Sequence, residues 1–391
     1  MIDYKEAAII IQRAVESVST ETIPYSIALH RIIAQDIVSD VNMPPFDKSA
    51  VDGYACRRSD LGNKLMLKDV IRAGQEHHIV IDKNECAKIM TGAMIPAGAD
   101  CVFMVEQSEI SEDKMIRFIG IKTSDNIARF GEDVKTGSVV LRKGTFIEPK
   151  HISVLAATGT TMIEVFRKIK VAIITTGDEI VEPDIKPTGV QIRNCNGPQL
   201  VIQLQAINAL PSYYGIVTDD FEESKSVFRD ALSQNDVLLI TGGVSMGDFD
   251  FVKNVLQDMQ AEILIEKIAI KPGKPTVFAK LGKKTVFGLP GNPVSAFVIF
   301  DLFAKPYLLR CMGYASEPLT LKLNFTEDMH FRVSDRTSFV PVRITNNSEI
   351  ELIDYHGSAH INALSEANGL AIIESGTGFL SKGEKIDVRL F

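Results

Sequence analysis

No apolar run in this chain approaches the ~20 residues that a membrane-spanning helix needs, so no transmembrane segment is expected. The first residues, Met-Ile-Asp-Tyr-Lys-Glu, lack the basic-then-apolar order of a secretory leader, and the expected compartment is the cytoplasm. Positive charge is also scarce. The 42 Lys and Arg stand against 50 Asp and Glu, and the net charge of -8 argues against a general nucleic-acid binder. The cysteines, Cys56, Cys86, Cys101, Cys195 and Cys311, are odd in number and never closely spaced, so neither a disulfide framework nor a zinc site is suggested. They read as reduced and mostly structural. His77-His78 and the pair His356 and His360 are poor metal ligands, since Gly357 and Ser358 argue against a helix between the second pair. Internal repeats and low-complexity segments are missing as well.

What is present is an ordinary soluble composition, 45% apolar and 24% charged, in a chain of 391 residues that is long enough for two to four domains. The chain is organised around residues 235–252, where a short apolar run, Val-Leu-Leu-Ile, ends abruptly in Thr241-Gly242-Gly243. Such a run reads as a strand buried on both faces, with a helix to follow. Glycines let the backbone come close to a guest, and the first turn of a helix has unpaired N–H donors, so this arrangement suits an anion. Two other stretches repeat it: residues 170–176 end in Gly177-Asp178-Glu179, and residues 285–289 end in Pro290-Gly291-Asn292-Pro293. In parallel α/β sheets ligands sit beyond the carboxyl ends of the strands, so three such ends imply one shared crevice.

Along the chain, residues 3–18 open with Asp-x-x-Glu and place Ala7, Ile10, Ile11, Ala14, Val15 and Val18 on one helical face. Pro44 and Pro45 mark a boundary. From residue 51 to about 129, short alternating runs separated by turns suggest a small mainly β domain. Pro149 opens a helix that Gly159 closes. Strands and helices then alternate, with helices opened by Pro198 and by the N-cap pair Asn292-Pro293, the latter running to about Leu309. After Gly313 five short strands, at 319–325, 337–344, 350–353, 370–373 and 385–390, suggest a final β-barrel-like domain.

The loops carry a conflict. Asp178, Glu179, Asp248 and Asp250 are brought towards the glycine-rich strand ends, and Asp219-Asp220 follow a further strand. A helix terminus stabilises an anion by about 0.3–1 kcal/mol. Two like charges ~4 Å apart cost about 4 kcal/mol at an effective dielectric of ~20. The acids would therefore expel an anionic guest unless a divalent cation lay between them, and oxygen ligands suit Mg2+. The alternative is that these acids are helix caps and solvated turn residues. Lys271-Pro272-Gly273-Lys274-Pro275 adds two cations, either aimed at an anion by a stiff turn or exposed on a hairpin. Asp47, Ser49 and Asp52 sit in an irregular loop among small and aromatic residues. Met90-Thr91-Gly92-Ala93 and Arg129-Phe130-Gly131-Glu132-Asp133 are polar glycine turns of the same domain.

Taken in order, Pro-Pro-Phe-Asp-Lys-Ser-Ala-Val-Asp-Gly-Tyr-Ala, Met-Thr-Gly-Ala, Arg-Phe-Gly-Glu-Asp, Thr-Gly-Asp-Glu, Gly-Gly-Val-Ser-Met-Gly-Asp-Phe-Asp, Ile-Lys-Pro-Gly-Lys-Pro and Gly-Leu-Pro-Gly-Asn-Pro-Val-Ser resemble the motifs of the molybdopterin molybdenumtransferase family, which includes the last domain of gephyrin. The resemblance implies a multidomain α/β plus β protein. Its parts are an extended N-terminal linker domain (1–41 plus 134–168), a small mainly β domain (42–133), a doubly wound α/β domain resembling molybdopterin adenylyltransferase (169–315) and a C-terminal β-barrel domain (316–391). It implies a homodimer with a site shared between subunits, and Mg2+-dependent insertion of molybdenum from molybdate into adenylylated molybdopterin with release of AMP. Molybdopterin adenylyltransferase and recipient molybdoenzymes are implied partners, with no nucleic acid and no membrane.

Carried over by position, Glu179, Asp178 and Asp250 match acids that organise the metal and the cleaved pyrophosphate, and either Asp219 or Asp220 matches a further acid. Gly177, Gly242, Gly243 and Ser245 belong to the phosphate-side turns, and Lys271 and Lys274 match oxyanion and phosphate binders. Pro290, Gly291, Asn292, Pro293 and Ser295 match the loop on the molybdate side. Asp47, Thr91 and Asp133 match residues presented across the dimer interface. Arg336, Arg343 and Ser358 are candidates to face the pterin. Lys48 stands where many relatives carry Asn, and Asp248 where Glu is frequent. The competing expectations are adenylyl transfer onto molybdopterin and a non-enzymatic, gephyrin-like scaffold.

Overall fold

A computed structural model describes residues 1–243, 251–315, 318–355 and 357–391. The chain forms two compact units: residues 1–35, 144–148 and 162–391 make one, and residues 36–143 and 149–161 make the other.

The first unit is built on a six-stranded sheet. In chain order its elements are β1 (Lys170–Thr176), α1 (Asn196–Ala206), β2 (Leu210–Val217), α2 (Phe221–Gln234), β3 (Val237–Thr241), α3 (Phe251–Asp258), β4 (Glu262–Ile265), β5 (Val277–Leu281), β6 (Lys284–Leu289) and α4 (Pro293–Ile299). The strand order is β2-β1-β3-β6-β5-β4, parallel from β2 to β6 and antiparallel for β5 and β4. From β1 the chain steps through α1 to β2 on one side, then returns through α2 to β3 on the other. The carboxyl ends of β1 and β3 thus form a topological switch point, where an open sheet leaves a crevice.

Side-chain alternation explains why the strands read as unbroken apolar runs. Val171, Ile173, Val237 and Leu239 pack on one face with Leu200 and Leu204 of α1 and Val294 and Val298 of α4. Ala172, Ile174, Leu238 and Ile240 face the other way, onto Phe228 and Leu232 of α2 and Val255 and Leu256 of α3. Each fully buried aliphatic or aromatic side chain contributes about 1.5–3 kcal/mol. The expected doubly wound core is therefore present.

The N-terminal helix, Tyr4–Arg13, starts as expected, with the Asp3 carboxylate accepting from the Lys5 N–H at 2.8 Å. It ends five residues before the expected Val18, because the run Val15-Glu-Ser-Val-Ser-Thr is rich in β-branched and hydroxyl residues that favour extended backbone. Val18 is still buried, its N–H donating to Cys311 O at 3.0 Å. The helix opened by Pro293 runs about as far as expected, but not as one α-helix: after α4 it passes through a π-turn at Phe300–Ala304 into Lys305–Cys311.

The C-terminal strands close into a five-stranded barrel: Thr337–Ile344, Glu349–Leu352, Thr320–Phe325, Lys385–Leu390, Gly369–Ile373, and back to Thr337–Ile344. Phe325, Val342, Ile350, Ala371 and Val388 fill it. Several contacts join barrel and α/β core. Ile270–Lys271 adds in parallel to Thr337–Ile344. In addition, Asp301 in the π-turn, 3% exposed, accepts from Arg389 Nε at 2.7 Å and from Lys305 Nζ at 2.8 Å. Arg389 also donates to the Asp301 carbonyl.

The second unit is a six-stranded sheet in the order Cys101–Met104, Gly53–Cys56, Glu85–Ile89, Lys64–Ile71, Ile116–Phe118, Ser108–Ile110. The helix Pro149–Ala157 belongs to the same unit. Among the described residues, no helix is long and apolar enough to cross a membrane.

Removing one partner of a buried ion pair leaves the other charge unpaired. Asp301→Ala should therefore destabilise the first unit by about 3–5 kcal/mol in denaturant unfolding, whereas loss of the exposed Lys64–Asp113 pair should cost about 1 kcal/mol or less.

Candidate active site

Four strand ends meet around a cavity of about 550 Å3 at the switch point. β1 contributes Thr175, Thr176 and Gly177, β3 contributes Thr241, Gly242 and Gly243, β6 leads into Pro290 and Gly291, and Asp219 follows β2. Gly242 has φ +97°, and a Cβ there would lie 2.3 Å from the Thr176 carbonyl oxygen, so only glycine lets β3 turn this close to β1. The Gly242 N–H is not left for a guest, since it donates to Leu289 O at 3.3 Å.

The ends are tied together by a residue that the motifs did not single out. Asn196, at the start of α1 and 6% exposed, donates from Nδ2 to Thr241 Oγ1 at 2.7 Å and to Gly291 O at 2.8 Å. Thr241 Oγ1 in turn donates to Pro290 O at 3.2 Å. Asn194 supports the same turn, accepting from the Gly197 N–H at 3.0 Å and donating to Tyr213 Oη at 2.6 Å. Burial and the neighbouring Glu182 carboxylate push the Tyr213 phenol well above its ordinary value. The signal for these residues was Asn-Cys-Asn directly before a helix, where short amides meet unpaired backbone groups.

Of the expected site residues, Gly177, Glu179, Asp219, Gly242, Gly243, Pro290, Gly291, Asn292 and Pro293 line this cavity. Asp178 is not among the lining residues and accepts from the Asp219 N–H at 3.3 Å. Asp220 is used differently, since it caps α2 by accepting from the Glu223 N–H at 2.8 Å. Of the two acids, Asp219 is the one that lines the cavity. Its turn is exposed but its carboxylate is partly withdrawn into the cavity, and this desolvation, followed by the charges of Asp178 and Glu179, raises its pKa. Ser245, Asp248 and Asp250 lie outside the described residues, as does His356.

Asn292 stands at the N-cap of α4, but its side chain makes no capping bond. It donates instead to Ser358 Oγ at 2.7 Å, and the Val294 N–H that a cap could satisfy donates to the Ser358 carbonyl at 3.2 Å. Ser295 is buried inside α4.

The expected cations stand apart from these acids, although Arg193, which the motifs did not single out, lines the first cavity with them. Lys271 and Arg336 line a second cavity of about 390 Å3 beside the barrel. The Lys271–Pro275 stretch is a built turn rather than an exposed hairpin: Pro272 and Gly273 are buried, and Gly273 accepts from Thr276 Oγ1 at 2.7 Å. Gly273 has φ +111°, and a Cβ would meet Ile299 Cδ1 at 2.4 Å. Lys274 is half-buried and lines neither cavity. Arg343 is engaged by Glu366 and, at 3.8 Å, by Glu351.

Residues 2–159 match the MoeA N-terminal region (domain I and II), residues 172–310 a probable molybdopterin binding domain, and residues 324–391 the MoeA C-terminal region (domain IV). A molybdopterin molybdenumtransferase of Staphylococcus epidermidis is 35% identical over 400 residues, covering 100% of this chain and 95% of that protein. One from Haemophilus influenzae is 35% identical over 380 residues, covering 95% of this chain and 94% of that protein. The crystal structure of a molybdopterin biosynthesis MoeA protein from Pyrococcus horikoshii OT3 superposes with a TM-score of 0.86 at 30% identity, covering 100% of both chains. The chain belongs to the molybdopterin molybdenumtransferase family.

The family's remaining motifs lie in the second unit and occur as two hydrogen-bonded pairs. Asp47 accepts from the Phe130 N–H at 2.8 Å and from Arg129 Nη1 at 2.9 Å. The Phe130 N–H and then the Arg129 guanidinium hold its carboxyl below the ordinary value. Thr91 donates to Asp52 Oδ1 through both its N–H, at 2.6 Å, and its hydroxyl, at 2.8 Å. Asp133 lies in the same turn region, its N–H donating to Met43 O at 3.0 Å. His77, by contrast, is spent on backbone, with Nε2 3.0 Å from Met94 O.

The carboxylates that line the first cavity, Glu179 and Asp219, offer oxygen donors, which suit a hard divalent cation. Among the described residues no three acidic, His or Cys side chains converge tightly enough to hold an ion alone. Mg2+ tolerates this, because it is commonly bound by one or two carboxylates and completes its shell with water and phosphate oxygens.

An acid whose folded pKa is raised gives stability that is fully present below its unfolded value and lost as pH rises through the folded one. Asp219→Asn should therefore raise the unfolding temperature of the ligand-free protein at pH 7. The gain should shrink to nothing as pH falls below about 4, measured by thermal unfolding across a pH series.

Proposed function

We propose that this chain inserts molybdenum from molybdate into adenylylated molybdopterin with release of AMP, in a Mg2+-dependent reaction. The observation that carries the reading is the cavity in which Glu179 and the perturbed Asp219 stand among the glycine turns at four strand ends. An acid-rich cleft of this kind accepts a pyrophosphate only with a counter-cation. Glu179, Asp178 and Asp219 would hold that Mg2+, with Asp250 as a further ligand on the strength of its motif. When bound it would neutralise phosphoryl charge at the anhydride that is cleaved.

The chain's own groups then divide the work. The bare backbone at Gly242 and Gly243 admits the phosphates. Asn196 and Thr241 hold the Pro290–Gly291 loop, so the molybdate side of the cavity is shaped before substrate arrives. Lys271 and Arg336, beside the barrel, supply positive charge for the oxyanion and the pterin end of the substrate. Adenylyl transfer onto molybdopterin requires only the α/β domain. The matches before residue 159 and after residue 324 favour insertion.

We further propose a homodimer in which Asp47, Thr91 and Asp133 of one subunit complete the cavity of the other. Adenylylated molybdopterin would come from a molybdopterin adenylyltransferase, and the product would pass to recipient molybdoenzymes in the cytoplasm.

Incubation with adenylylated molybdopterin, Mg2+ and molybdate should release AMP, read by chromatography. Glu179→Gln should slow release by about 100-fold or more with little change in unfolding temperature, and full turnover by this variant would reject the metal-site assignment. Chelation should stop the reaction and added Mg2+ restore it. An Asp47→Ala subunit mixed with a Glu179→Gln subunit should recover part of the activity, because one composite site in each mixed dimer is intact. No recovery, with mixed dimers verified by mass, would sink the shared site.

A further inference from the structure

Three threonines line the first cavity at the strand ends: Thr175, Thr176 and Thr241. Two are committed within the protein. Thr175 Oγ1 donates to Asn194 Oδ1 at 3.4 Å, and Thr241 Oγ1 accepts from Asn196 and donates to Pro290 O. Thr176 differs: it is 3% exposed, and its hydroxyl oxygen is buried with no hydrogen-bond partner among the described residues. Buried hydroxyls are nearly always paired, and an unpaired one is costly to the fold. Such a group at a cavity wall needs a reason.

The surroundings supply it. A Cβ placed on Gly242 or on Gly243 would lie 2.9 Å from Thr176 Oγ1 in each case. The hydroxyl therefore faces the bare side of the glycine turn, and any other residue at either position would cover it. The charged residues around the cavity are two acids, Glu179 and Asp219, and Arg193, whose Nε donates to Ile185 O at 3.1 Å. A neutral O–H donor can serve an anionic guest here without forming an ion pair with those acids, as a lysine would.

We propose that Thr176 is a substrate ligand whose hydroxyl donates a hydrogen bond to a phosphoryl oxygen seated over the Gly242–Gly243 turn. This rests on the function proposed above, in which the guest is an adenylylated, pyrophosphate-bearing molecule. The two glycines and the threonine then act together: the glycines give the phosphoryl group room and Thr176 gives it a donor that no described residue consumes.

The test compares Thr176→Val, which keeps the shape and removes the hydroxyl, with Thr176→Ser, which keeps the hydroxyl. Binding of adenylylated molybdopterin in the presence of Mg2+ is measured by equilibrium titration, and thermal unfolding without ligand is measured in parallel. Thr176→Val should weaken binding about 10-fold or more while leaving the ligand-free unfolding temperature unchanged or raised, since it removes an unpaired buried group. Thr176→Ser should bind within about threefold of the parent. A valine variant that binds like the parent, a serine variant as impaired as valine, or a fall in the ligand-free unfolding temperature of the valine variant would each overturn the assignment. If the parent itself does not bind, the functional reading falls first and takes this assignment with it. If the parent binds and valine makes no difference, only the role of Thr176 is lost.

Discussion

The cavity at the strand ends depends on one side-chain amide. Asn196 reaches from the start of α1 to Thr241 at the end of β3 and to the Gly291 carbonyl beyond β6, and Thr241 passes the contact on to Pro290. These strands are parallel neighbours in the sheet, and the Gly242 N–H to Leu289 O bond is a backbone tie at their ends. Buried hydrogen bonds in a dry site are worth more than their exposed counterparts, and each partner would be costly to leave alone. The clip turns three independent loop ends into one wall. Gly242 can then press against the Thr176 carbonyl, and the cavity keeps its shape without a ligand.

Within that wall the charges are left unbalanced. Asp219 is partly desolvated and crowded by Asp178 and Glu179, so the ligand-free protein holds its acids at a cost. The buried pair elsewhere in the same unit shows the contrast. Arg389 binds one carboxylate oxygen and the carbonyl of Asp301, and Lys305 takes the second carboxylate oxygen. One acid closes a seam between helix and barrel. Asp219 is instead crowded by other acids at a cavity, and the Thr176 hydroxyl there has no partner among the described residues, which is how a binding site differs from a structural contact.

Much of the architecture was legible from side-chain period. A parallel strand covered on both faces must be apolar throughout, so 171–174 and 237–240 announced themselves, and the barrel strands alternate because one face is filled and the other wet. The helix after Asp3 was legible at its cap and not at its end, where weak local propensities in 15–20 were decided by packing of Val18 onto the core. Asn292-Pro293 marked a helix start correctly, yet the Asn292 amide went to Ser358, over sixty residues away, a partner no local rule names.

The sequence by itself determined the strand and helix alternation, the glycine turns at the strand ends and, through seven motifs in order, the family, because these are set by neighbours within a few residues. Tertiary structure alone decided that Asp219 rather than Asp220 faces the cavity, that Lys271 and Arg336 line a separate pocket from the acids, and that the Thr176 hydroxyl finds no partner among the described residues while those of Thr175 and Thr241 do. The reason is physical: backbone path follows from local sterics and period, whereas the partner of a polar side chain depends on which distant atom the fold brings within about 3 Å.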